Sequence, residues 1–223
     1  MKGLSAKTMC AAATLSLAAL GSTTARASGL EILNEGFGSV SGLNGWVQVN
    51  DSLPPGSGWL QGNPGLFSAQ AGAADSYAAA SFLGAANGSG TVDNWLITPT
   101  LDLYGATVLD FFSRGTGTPG FNDVLEVRFS SGASADPSSF TTLLATLGGN
   151  GNYPSSWQHD LVGVDFTGSG RFAFRYVGAA DSLNYVGLDT VSVITAIPEP
   201  SHWMMLALGM GLLPLLGRAA RKS

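Results

Sequence analysis

Glycine-rich and proline-rich clusters punctuate the chain, and no long stretch between them shows helical spacing. They stand at Pro54-Pro55-Gly56-Ser57-Gly58, Gly62-Asn63-Pro64-Gly65, Asn87-Gly88-Ser89-Gly90, Gly115-Thr116-Gly117, Gly148-Gly149-Asn150-Gly151 and Gly168-Ser169-Gly170. Such clusters end strands and turn the chain. What lies between them alternates with a period of two: Leu125, Val127 and Phe129 fall on one face and Glu126 and Arg128 on the other, while Phe172, Phe174 and Tyr176 oppose Arg171 and Arg175. These are strands with one wet face. Asn94–Thr98 and Thr107–Phe112 are apolar on both faces or nearly so and belong mid-sheet. Ser76–Leu83 is alanine-rich, but it sits between loops too short to pack a helix, and it reads as a strand.

About ten strands with nothing helical between them leave a two-sheet jelly-roll sandwich or a closed barrel. Uneven strand lengths and long loops favour the sandwich. The chain is thus all-β between two ends of different character.

At the N-terminus Lys2 and Lys7 precede an apolar run from Met9 to Leu20, and Ala25-Arg26-Ala27 offers a small-x-small cleavage site. This is the pattern of a secretory signal peptide, residues 1–27, cut after Ala27. The single cysteine, Cys10, lies inside it and before most of the apolar run, so the exported chain carries no thiol, disulfide or cysteine metal site. At the other end, Pro198-Glu199-Pro200 precedes an apolar run from Trp203 to Leu216 and then Arg218, Arg221 and Lys222. At a helical rise of about 1.5 Å per residue this run reaches about 21 Å, short of a hydrocarbon core of about 30 Å. The cations hold its end on the cytoplasmic side. Pro200 lacks an amide proton and keeps Glu199 extended, which leaves a peptide open to a processing enzyme just outside the membrane.

The Pro-Glu-Pro motif, short apolar segment and basic end, in that order, resemble the PEP-CTERM sorting signal of Gram-negative bacteria. The resemblance covers residues 197–223. It implies transient inner-membrane insertion of a short transmembrane helix, processing by exosortase near Pro198, Glu199 and Pro200, and delivery to the cell envelope or an exopolysaccharide matrix. Residues 28–196 carry a second resemblance. Asn34-Glu35-Gly36-Phe37, Gly45-Trp46, Gly58-Trp59, Tyr77-Ala78-Ala79-Ala80 and Asp93-Asn94-Trp95-Leu96-Ile97-Thr98-Pro99 open an ordered series. Asp123-Val124-Leu125-Glu126-Val127, Trp157, Arg171-Phe172-Ala173-Phe174-Arg175-Tyr176 and Gly187-Leu188-Asp189-Thr190-Val191 complete it. The series is similar to the choice-of-anchor J domain, related to cleaved-adhesin and MAM-type jelly rolls. The resemblance implies a surface or matrix protein with no catalytic activity of its own.

Charge narrows the choice of partner. Between Ser28 and Ile197 there are fourteen acidic residues against four arginines and no lysine, a formal charge of −10 where the whole chain carries −5. That balance argues against nucleic acid and anionic lipid, whose affinity comes from Lys and Arg on phosphate. It suits calcium or an uncharged glycan.

Two acids stand in apolar rows. Glu35 shares parity with Leu33 and Phe37, and Asp189 with Val191 and Val193. A carboxylate there is costly unless it is paired or bound to a cation. Either the two share one calcium ion, as related adhesin domains imply, or each bonds backbone amides or Arg175. Trp46, Trp59 and Trp157 adjoin turns and are candidates for stacking on sugar rings, whereas Trp95 lies within its strand and belongs to the core. His159 stands alone in the lobe, with no second histidine there to complete a metal site, and it reads as an ordinary strand residue. Within residues 28–196 a serine triad lacks both a Gly-x-Ser-x-Gly elbow and any histidine but His159. For a glycan hydrolase the only glutamates of the lobe are Glu31, Glu35 and Glu126, of which Glu31 and Glu35 share parity. The sequence therefore points to an exported, non-enzymatic binding sandwich, with a glycan-binding lectin and a glycan-active hydrolase as alternatives.

Overall fold

A computed structural model describes residues 29–197. The signal-peptide segment with Ala27, and the Pro198-Glu199-Pro200 motif with its apolar run, lie outside the described residues. Among those described there are ten strands and five short 3-10 turns: β1 (Leu30–Glu35), β2 (Val47–Asn50), β3 (Leu60–Gln61), β4 (Ala78–Ser81), β5 (Thr91–Ile97), β6 (Leu101–Gly115), β7 (Val124–Ser131), β8 (Thr142–Gly148), β9 (Gln158–Ala179) and β10 (Tyr185–Thr195). Ser76–Leu83 is β4 followed by a 3-10 turn.

The strands form two facing layers that share β9. Its first half pairs with β6, which continues to β10 and then to β1 at one end and β4–β3 at the other. Its second half, from Gly170 on, lies between β5 and β7, which pair onward to β2 and β8. All pairings are antiparallel, and hydrogen bonding is continuous through β9, so the ten strands form one curled sheet folded into a jelly-roll sandwich. Gly168-Ser169-Gly170, expected to be a turn, lies inside β9 and is where that strand changes layers. Gly168 has φ +125°, and a Cβ on Gly170 would stand 2.7 Å from the Phe129 ring, so glycine permits both the bend and the close packing.

The core fills the gap between the layers. Phe111 of β6 meets Phe174 of β9 edge-on with centroids 5.2 Å apart, and Phe129 of β7 meets Phe166 at 5.5 Å. Leu96, Leu109, Leu125, Val127, Leu188, Val191 and Val193 are fully buried around them. β5 and β6 occupy interior positions in their layers, as their two-sided apolar character requires.

Candidate binding cleft at the loop end of the sandwich

Both acids singled out by alternation are bonded by backbone amides. In β10 a bulge at Thr190, with φ +50°, separates Asp189, opposite Phe112, from Ser192, opposite Asp110. The extra residue breaks the parity with Val191, and Asp189 points to the outer face of its layer. There it is fully buried beneath the 62–77 connection and accepts N–H bonds from Gln70 (2.8 Å), Ala71 (3.1 Å) and Thr190 (2.7 Å). Burial pushes its carboxyl pKa up, against the pull of those amides. Glu35 stands opposite Val191, on the core-facing side of the same layer, and accepts from Phe37 N–H at 2.7 Å. The two carboxylates lie on opposite sides of the sheet, each turned toward amides, which does not fit one shared calcium ion. Among the described residues no three His, Cys, Asp or Glu side chains are grouped to hold a metal.

The connection that Asp189 pins carries an aromatic cap. Phe67 stacks on Tyr77 at 5.0 Å, and Trp157 meets both edge-on at 5.7 Å. Trp157 Nε1 donates to Ser68 O at 2.9 Å, which commits this tryptophan to the cap. Gly187 lies beneath, where a Cβ would stand 2.8 Å from Phe67 and 3.0 Å from both Trp157 and Tyr77. Trp59 is 3% exposed, with Nε1 donating to Asn94 O at 3.3 Å, so no ring face is left for a sugar. Trp46 is half-buried edge-on against Phe37. Trp95 is buried under Phe140 and the Arg175 guanidinium. Of the three tryptophans expected as stacking platforms, Trp59 is packed away, whereas Trp46 and Trp157 are half-buried. His159 stacks on Phe112 at 4.7 Å and bonds Asp110 at 2.7 Å on an exposed strand face.

A third acid, which alternation also marks, stands at the loop end. Asp123 immediately precedes β7 and shares parity with the buried Leu125, Val127 and Phe129. It is 6% exposed. Its Oδ1 accepts from both the Tyr176 hydroxyl and Asn184 N–H. Its Oδ2 has no hydrogen-bond donor among the described residues. Burial raises the Asp123 pKa, with Tyr176 and Asn184 pulling the other way, and burial together with the Asp123 charge drives the Tyr176 hydroxyl well above its usual range.

Asp123 lines a cleft of about 280 Å³ between the β6–β7 and β8–β9 connections, with Thr118, Pro119, Phe121, Tyr153 and Ser155 among its walls. Backbone bonds tie the walls together: Gly149 N–H donates to Asp123 O at 3.0 Å, Gly115 N–H to Pro154 O at 2.6 Å and Gly151 N–H to Asn122 Oδ1 at 2.7 Å. The Tyr153 hydroxyl is buried beside Ser113 Oγ without a well-formed hydrogen bond, and Asp160 Oδ2 is buried without a partner. Burial raises the Tyr153 pKa, opposed by Ser113 and reinforced by the charges of Asp123 and Asp160.

Among the described residues no arginine is free to serve the cleft. Arg175 makes a bidentate pair with Asp93, both bonds 2.7 Å, and also reaches Glu126. Arg128 bonds Glu126 and Phe140 O, and Arg171 bonds Ala133 O and Thr98 O. Arg114 lies 4.2 Å over the Phe67 ring and donates to Ser155 O. The four cations of the lobe are all structural. Glu31 and Glu35 do not face each other across a cleft, because a bulge between Glu31 and Leu33 sets Glu31 opposite Ile194 on the outer side and Glu35 opposite Val191 on the core side.

This is the architecture of a small all-β jelly-roll module, and solved structures share it. The structure is similar to the K1 cleaved adhesin domain of Lys-gingipain from Porphyromonas gingivalis W83, at 27% identity and a TM-score of 0.58, covering 74% of this chain and 98% of that one. The K3 cleaved adhesin domain of the same protein is similar at 22% identity and a TM-score of 0.56, covering 76% of this chain and 100% of that one. No family model matches the sequence, and no curated protein matches it.

Proposed function

We propose that this protein is an exported, non-enzymatic adhesive module of the cell surface or exopolysaccharide matrix, sorted by an exosortase-type system that acts at Pro198, Glu199 and Pro200. The observation that carries the adhesive reading is the shared fold with the K1 cleaved adhesin domain over nearly the whole of that domain. Sorting rests on the tail sequence alone: a motif an enzyme can grip, a span too short for a durable anchor and a basic end. Mass spectrometry of the mature chain from cells tests it. An end near Pro200 with Ser28 at the front supports the reading, and retention of Trp203–Ser223 makes the tail a plain anchor.

A further inference from the structure

We propose that the cleft beside Asp123 is a subsite for one terminal ring of a neutral glycan, with Asp123 Oδ2 accepting from neighbouring sugar hydroxyls. The inference rests on the binding role proposed above and gives it a ligand class. An ionised carboxylate can only accept, and a ligand that displaces water from Oδ2, the oxygen left open to the cleft, must replace the hydrogen bond that water supplied. Oδ1 has its two donors from the protein, and Oδ2 faces a cleft wall with none. The ligand must therefore donate.

Three classes of donor are available in principle: a basic group, a hard cation and a hydroxyl. Calcium takes about six to eight oxygens, several from carboxylates. One acid lines this cleft, and half of it is already used. An anionic ligand finds no Lys or Arg there, and an extended basic peptide exceeds the space. About 280 Å³ is just under the roughly 300–1,000 Å³ of ordinary ligand pockets, which suits a single ring at a chain end. The remaining walls match a sugar. Thr118 and Ser155 carry exposed hydroxyls, and Phe121 and Pro119 offer apolar surface to the C–H face of a ring. Because the walls are already hydrogen-bonded to each other, little ordering is required on binding.

The full chain, ¹⁵N-labelled and held in detergent micelles, is titrated with the methyl pyranosides of glucose, galactose, mannose and xylose, and separately with calcium chloride. At least one glycoside is expected to shift the amides of Gly117, Phe121 and Gly151 with a millimolar Kd. Asp123→Asn weakens that binding about tenfold or more, the equivalent of roughly 1.4 kcal/mol. Thr118→Trp, at an exposed rim position that tolerates a large side chain, abolishes it and decides the matter if Asp123→Asn fails to fold. Shifts with no glycoside, undiminished binding in Thr118→Trp or in folded Asp123→Asn, or movement of these amides with calcium alone overturns the proposal. The C-terminal mass of the mature chain is independent of this titration, so a dead cleft leaves the sorted-adhesin reading standing and a retained tail leaves the cleft standing.

Discussion

Asp189 and Asp123 are the same residue in nearly the same degree of burial, each with its pKa raised, yet they do different work. Asp189 spends both oxygens on three amides and fastens the 62–77 connection over the aromatic cap. Asp123 spends one oxygen on Tyr176 and Asn184, closing the end of the core, and keeps the other toward a cleft. Burial and a displaced pKa do not separate a structural carboxylate from a binding one. The unused oxygen, and space beside it, does.

The sharpest way to break this contrast is Asp189→Ala. Three buried amides lose their acceptor, and the expected cost is about 3 kcal/mol, or roughly 10 °C in Tm for a lobe of this size. A drop of only a degree or two would mean that the connection holds without its aspartate. Gly187→Ala should cost somewhat less, about 1–3 kcal/mol, because the new methyl pushes on Phe67, Trp157 and Tyr77 together. An unchanged denaturant midpoint would place the cap off the sheet. Asp123→Asn keeps an acceptor for Tyr176 and Asn184, and about 1 kcal/mol is expected.

The pH dependence carries a sign that sharpens the comparison further. A carboxyl whose folded pKa is raised contributes stability that is fully present below its ordinary value near 3.8 and lost as pH rises through the folded value. The difference in Tm between wild type and Asp123→Asn should therefore shift against the wild type as pH rises from about 4. Glu126 behaves in the opposite sense. Burial pushes its pKa up, but the bonds from Arg128 and Arg175 outweigh burial and lower it, so its contribution is present above its ordinary value near 4.5 and lost as pH falls through the depressed one. Glu126→Gln should flatten the acid limb of the stability profile at a cost near 1 kcal/mol at neutral pH. The smallest expected effect is that of a chelator. With Asp189 and Glu35 bonded to amides, EDTA should leave Tm unchanged, and a clear drop would restore a calcium ion to the account.

Strand count, the sandwich and the mid-sheet places of β5 and β6 were legible from turn chemistry and alternation, because both are local. The errors came where the backbone departs from strict alternation. Bulges at Thr190 and between Glu31 and Leu33 each insert a residue, and every face assigned by parity beyond them is reversed. The glycines at Gly168 and Gly170 carry a turn composition but lie in a strand that passes between layers, a use that depends on Phe129 packing from a distant strand. Asp123 shares parity with Leu125, Val127 and Phe129, so the rule that drew attention to Asp189 applied to it as well. What no local pattern holds is that Tyr176 and Asn184 return to one of its oxygens and leave the other free. The tryptophans near turns were also ambiguous for this reason, since the loops that cover Trp59 and recruit Trp157 are placed only by the tertiary fold.

The contrast between the two aspartates is tested most directly by the side-chain carboxyl ¹³C resonances of Asp123 and Asp189, followed while the best-binding methyl glycoside is added to the full chain. The account predicts that the Asp123 signal moves with ligand and the Asp189 signal stays. Movement of Asp189 alone, equal movement of both, or a stationary Asp123 would contradict it.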